Sequence, residues 1–335
     1  MRTRRLTVKP LLRQPDGIPG LPPAGSPPWT GPAGTLLLLH SVLALLAVLL
    51  RRAWLPFDAL VGAATVNAYV ISSLIMQGGM IFIPTILIIW FGRIQPSEIS
   101  GGKARAGSLI LALTAGIPAA VVFQGLNNLL IYALVKSGIR LPASSTAFDD
   151  SSNLLAKPLP VLLLIVLVSV IIPALVEELM FRGVILASLS SGGATISAVL
   201  LQAAAFALFH GDPLFLLPPF LAGWLLALVR RSSLSLLPAI LMHLSLNLSL
   251  LALAPLLPTL TAEYASAASS GSFSLLYASL IAAFVAAVAL IPLIVLITSQ
   301  TPRQTRQARW QIWPADWKFA LAILILVATM VVEFN

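Results

Sequence analysis

Two glutamates stand side by side in an apolar run, at Glu177 and Glu178, and an arginine follows four residues after the second, at Arg182. A histidine closes a later apolar segment at His210, four residues after Phe206. A second histidine, His243, lies four residues before Asn247 in the next such segment but one. On an α-helix, residues i and i+4 share a face. Glu178 and Arg182 therefore read as an ion pair, with the acid on the amino-terminal side, the better order. Glu177 points about 100° away round the helix and is left without that partner, which suits a general base or acid. A histidine one turn from an amide suits metal binding or stabilisation of an oxyanion, and His243 and Asn247 have that spacing.

These groups are chemically expensive where they stand. Hydrophobic residues make up 59% of the 335-residue chain and only 11 residues are acidic. A charged side chain at bilayer depth costs roughly 2.5–3.5 kcal/mol on the lenient insertion scale, so an intramembrane acid is a functional-site hypothesis by default. The mean hydropathy is +0.99 and charged residues are 9% of the chain, against roughly 25% in soluble domains. The chain reads as a multi-pass integral membrane protein, expected in a bacterial cell membrane. A net charge of +9 fits basic cytoplasmic loops rather than a nucleic-acid partner. With no cysteine, disulfides, thiol catalysis and thiolate ligands are excluded.

The positioning elements follow from the hydropathy pattern. A basic, Pro- and Gly-rich tail covers 1–34 and reads as disordered. Residues 35–157 hold variable spans, near 35–50, 57–76, 79–92 and 108–135, with a polar loop over 136–157 that contains Asp149 and Asp150. The segment at Gln77-Gly78-Gly79 reads as a break between two spans. Residues 158–254 form a tighter unit of helices near 159–188, 194–210, 214–229 and 234–254. Residues 255–335 add two spans, near 273–298 and 318–334, joined by a linker with Arg303, Arg306, Arg309, Trp310, Trp313 and Trp317. The expected fold is an all-α, polytopic transmembrane bundle of about 9–10 spans. Ten spans, with 51–52, 93–105, 230–231 and 303–318 in the cytoplasm, put the basic tail outside, against the positive-inside rule.

Depth is permissive. Counted from the 190–193 turn at 1.5 Å per residue, the glutamates lie roughly 20–24 Å along their helix and His210 roughly 25–28 Å along the next. The groups converge if helices tilt or kink, and Pro173 supplies a kink. Other polar residues have plainer readings. His40 reads as a hydrogen-bonded packing residue, and Gln124, Asn127 and Asn128 as glue between helices.

The succession Glu177-Glu178-x-x-x-Arg182, Phe206-x-x-x-His210, His243-x-x-x-Asn247 resembles the CPBP intramembrane proteases, which include CAAX prenyl endopeptidases and bacterial Abi-domain proteins. The resemblance covers about residues 158–254. It implies a four-helix catalytic core in which Glu177 and His210 activate a water, His243 and Asn247 stabilise the oxyanion, and Glu178, Arg182 and Phe206 support the site. The implied activity is endopeptidase cleavage of a membrane-associated peptide or protein. One Glu and two His, here Glu177, His210 and His243, can also make a zinc site with an open fourth position. Cofactor need is thus either none or one Zn²⁺, and the spacing is not the His-Glu-x-x-His of zincins. Two other functions use the same residues differently. A transporter or channel would run protons or cations along Glu177, His210 and His243, but no internal repeat supports it. A non-catalytic scaffold or immunity protein would keep only the helical framework.

Overall fold

The computed structural model describes residues 30–61, 65–139, 157–190, 196–253, 274–300 and 316–334. The basic tail as far as residue 29, Asp149 and Asp150, the 191–193 part of the turn and the Arg/Trp linker as far as residue 315 lie outside the described residues. The fold is all-α. Its long helices are α1 (Thr30–Ala53), α2 (Val66–Phe91), α3 (Ala106–Lys136), α4 (Leu159–Leu189), α5 (Ile196–Phe209), α6 (Leu217–Ser233), α7 (Leu236–Leu253), α8 (Ser274–Ser299) and α9 (Trp317–Phe334). Six of the helices are long and apolar enough to cross a membrane.

The expected break at Gln77-Gly78-Gly79 does not form. α2 runs through it, with a π-helical stretch at Ile75–Phe82. Thr65 opens α2 by accepting the Ala68 amide at 3.2 Å, an ordinary N-cap. Pro84 lies two residues after the end of the π-helical stretch, as Pro173 lies two residues after the stretch at Leu167–Ile171 in α4. A proline supplies no amide hydrogen and crowds the carbonyl four residues back. A widened turn just before it relieves both demands, and such turns recur at functional sites. Glu177 and Glu178 close the short α-helical stretch Ile172–Glu178. Arg182 falls in a further π-helical stretch, Leu179–Ile185.

α2 and α4 run parallel. Tyr69 Oη meets Ser169 Oγ at 2.6 Å, and Gln77 meets Glu177 eight residues further along both helices. α1 and α9 are parallel too. Lys318 reaches Thr35 at their starts, and Arg51 reaches Glu333 at their ends. α3 crosses α7 at Gly116, where an added Cβ would sit 2.6 Å from the Met242 carbonyl oxygen and 2.8 Å from the Leu246 nitrogen. Ser245 also donates to the Leu113 carbonyl at 2.6 Å. Only a glycine allows two backbones so close, and this crossing fixes the height of His243.

Odd-numbered helices therefore run one way and even-numbered ones the other. Arg93, Lys103, Arg105, Arg230, Arg231 and Lys318 fall at the end of the bundle where α1 begins. The loop after α2 is tied there to the α6–α7 turn by the Gly102 amide on the Leu234 carbonyl and by Arg230 on the Ile99 carbonyl. Arg51 and Arg52 lie at the opposite end, where Asp58 and Glu333 pair with Arg51. The ten-span arrangement, with Arg51-Arg52 and Arg93 on one side, fails because one continuous helix, α2, separates them.

His40 packs as expected. It is fully buried, donates from Nδ1 to the Met80 carbonyl at 3.2 Å and lies 4.6 Å from the Phe209 ring.

Candidate active site

Three helices, α2, α4 and α7, bring a line of polar side chains into the apolar core. Arg182 donates from one terminal nitrogen to Glu178 Oε1 at 2.5 Å, and from the other to the Gly223 carbonyl of α6 at 3.2 Å. Its guanidinium also lies over the Phe206 ring, 4.5 Å from the centroid, a cation–π contact. His243 Nδ1 stands 2.9 Å from the same Glu178 oxygen. A carboxylate accepts, so the Nδ1 proton is on the ring and Nε2 faces outward. Nε2 is 3.9 Å from Glu177 Oε2. The line ends at Glu177 Oε1, which accepts from Gln77 Nε2 at 2.8 Å. Glu177, Glu178, Arg182 and His243 are all buried.

The two adjacent glutamates are thus separated by what they touch. Glu178 is enclosed by a cation and an imidazole N–H. Glu177 has one oxygen fixed by an amide and the other directed at His243 across a gap longer than a hydrogen bond.

His210 is placed differently. It follows the last residue of α5, is exposed, and donates from Nδ1 to the Phe206 carbonyl at 2.7 Å. That bond fixes the tautomer and leaves Nε2 as the outward nitrogen. His210 is within electrostatic reach of Glu177 and His243, but forms no hydrogen bond or ion pair with either among the described residues. Asn247 is half-buried, one turn beyond His243, and its amide makes no hydrogen bond among the described residues. Phe206 links the parts. Its ring is 4.8 Å from His210, 5.9 Å from His243 and 4.9 Å from Phe181.

A zinc site on Glu177, His210 and His243 needs three donors around one point. Among the described residues no group of three His, Asp or Glu side chains is gathered closely enough to hold a metal ion. The donor set as arranged does not fit that ligand shell.

Gln77 is the site residue that sequence reasoning missed. A lone amide inside an apolar run, set before two glycines, carried the signal, since buried polar residues in spans are seldom idle. It read as a break because Gly-Gly also marks turns.

Comparison with known proteins agrees with the residue pattern. No curated protein and no solved structure matches the chain. Residues 159–249, which carry Glu177, Glu178, Arg182, Phe206, His210, His243 and Asn247, match the family described as Type II CAAX prenyl endopeptidase Rce1-like. That match supports an intramembrane protease of CAAX type in general, embedded as an integral multi-pass protein. Over this segment, about a quarter of the chain, the sequence is similar to that family, in agreement with its resemblance to the CPBP intramembrane proteases.

Proposed function

We propose that this protein is an intramembrane endopeptidase that cleaves a membrane-associated peptide with Glu177 as the base and without a metal ion. The observation that carries the reading is the line from Arg182 through Glu178 and His243 to Glu177. It gives the two acids different work within one buried site.

A water between Glu177 Oε2 and His243 Nε2 would suit the 3.9 Å gap, since polar atoms this far apart are commonly bridged. Glu177 takes one proton from that water while its oxygen bonds to the scissile carbonyl carbon. His210, its ring held through Nδ1, presents Nε2 as a second acceptor beside the same water. Negative charge then develops on the carbonyl oxygen. His243, which holds a second proton taken from solvent on Nε2 throughout the cycle, donates to it, and Glu178 on Nδ1 balances the imidazolium as an orienting acid does in a triad. Asn247 adds an amide donor from the next turn of α7. When the C–N bond breaks, the proton held by Glu177 passes to the leaving nitrogen and the water's remaining proton passes to His210 Nε2, giving a carboxylate and an amine.

The test uses full-length protein in detergent with two quenched fluorescent peptides, one farnesylated and ending in a CAAX sequence, one unmodified. Cleavage of either by the wild type, lost by at least about 10³-fold in Glu177→Gln, is the expected result for removal of a base on which the mechanism depends. Full activity in folded Glu177→Gln ends the reading. The same assay with 1,10-phenanthroline separates the two water-activation chemistries, and unchanged rates are expected. A transporter reading has no comparable support, since Glu178 is held by Arg182 and His243 and no internal repeat accompanies the acids.

A further inference from the structure

We propose that Gln77, on a helix outside the matched segment 159–249, is a positioning residue for the Glu177 carboxylate. The inference rests on the reading of Glu177 as the base.

Three observations converge on it. Gln77 is 8% exposed, and its Nε2 holds Glu177 Oε1 at 2.8 Å, the carboxylate's hydrogen bond among the described residues. That bond decides which oxygen is left over, and the one left over, Oε2, faces His243. Without it the carboxylate can turn about its last torsion, which is broad and roughly two-fold. Second, the amide serves this bond at a cost. Gln77 Oε1 is buried with no partner among the described residues. A methionine would fill the same volume without stranding a polar atom, so stability alone would favour the apolar residue. Third, the backbone is arranged for the contact. The π-helical stretch Ile75–Phe82 turns residue 77 toward α4, whereas Gly78 and Gly79 meet open space, with nothing within 4 Å of an added Cβ. The Tyr69–Ser169 bond two turns earlier sets the same parallel register.

Gln77 is uncharged, so its effect must be separated from that of the charged neighbours of Glu177: His243 on α7, His210 after α5, and Glu178 and Arg182 on α4 itself. A kinetic split does this. With the peptide that the wild type cleaves, Gln77→Met is expected to lower kcat at least tenfold while KM stays within about twofold. Gln77→Glu keeps the side-chain shape and replaces the donor by an acceptor. It is expected to lose at least as much. Wild-type kcat in either folded variant overturns the proposal. If Glu177→Gln remains active, the base itself is wrong and the positioning role falls with it. If Glu177→Gln is inactive and Gln77→Met is not, only the present inference falls.

A second measurement needs no substrate. The change in Tm caused by Gln77→Met is compared in the wild type and in a Glu177→Leu background. The change is expected to be more favourable in the Glu177→Leu background than in the wild type, because only the carboxylate gives the amide its use. Equal changes in both backgrounds would show the two residues to be uncoupled and overturn the proposal.

Discussion

His243 Nδ1 and Arg182 share one oxygen of Glu178, at 2.9 and 2.5 Å. The second glutamate is therefore the hinge between a structural cation and a ring that faces Glu177. Glu178→Gln changes little in volume but replaces half the carboxylate with donors. The amide oxygen can still accept from both neighbours, but a neutral amide cannot balance an imidazolium, so His243 loses its counter-charge. The expected result is a folded protein with kcat lowered by about 10²–10⁴, the range found when an orienting acid is made neutral. Activity near wild type would show that Glu178 serves packing only.

Arg182 has the opposite profile, with a larger effect on stability. Arg182→Met leaves a fully buried carboxylate without its cation. Breaking one side of a buried pair costs about 3–5 kcal/mol, so a marked drop in Tm is expected. Arg182→Lys should not restore it. The guanidinium uses one arm on Glu178, the other on the Gly223 carbonyl and its flat face on Phe206, and a single ammonium cannot span all three. Equal Tm values for the lysine variant and the wild type would refute this account of the site.

Much of this was legible in the chain because charged and imidazole groups are conspicuous in an apolar background. Glu178 and Arg182 sit four apart, and helical periodicity alone brings them together. The cost of burying Glu177 marked it before any partner was visible. What the sequence hid depends on register between distant segments. Gln77 and Glu177 are 100 residues apart, and no local rule pairs them. The approach of His243 to both acids depends on the α3–α7 crossing, which is set by a glycine 127 positions upstream of His243. His210 was expected at the side of Glu177. It follows the end of α5, within electrostatic reach of Glu177 but without a hydrogen bond to it among the described residues, because the helix stops at Phe209 and the ring folds back onto the Phe206 carbonyl. The Gln77-Gly78-Gly79 run misled because glycines that end a helix in water are tolerated inside a membrane helix, where neighbouring helices re-satisfy the backbone.

The α3–α7 crossing itself can be tested. Gly116→Val places side-chain atoms against the Met242 carbonyl and the Leu246 amide, which are backbone and cannot rotate away. α7 must shift, and His243 and Asn247 with it. Activity should fall by at least about 10², since misplacement by about 1 Å costs that much, with a lower Tm. Gly107→Val is the control. Nothing lies within 4 Å of a Cβ there, so its activity should match the wild type. If both variants behave alike, helix approach does not set the site.

Orientation in the bilayer follows from where more of the cations collect. Arg93, Lys103, Arg105, Arg230, Arg231 and Lys318 share one end of the bundle, whereas Arg51, Arg52, Lys136 and Lys157 lie at the other, where Asp58 and Glu333 pair with Arg51. By the positive-inside rule the first end is cytoplasmic, the end at which α1 begins, and the conflict posed by ten spans disappears. The native chain has no cysteine, so single substitutions can be read without background. Lys103→Cys and Arg105→Cys, both at exposed positions, should react with a membrane-impermeant maleimide only after the cells are opened. Arg52→Cys, also exposed, should react in intact cells. Labelling of all three from the same side would require another crossing between Arg52 and Arg93, and would overturn both the continuous α2 and the parallel α2–α4 pairing that brings Gln77 to Glu177.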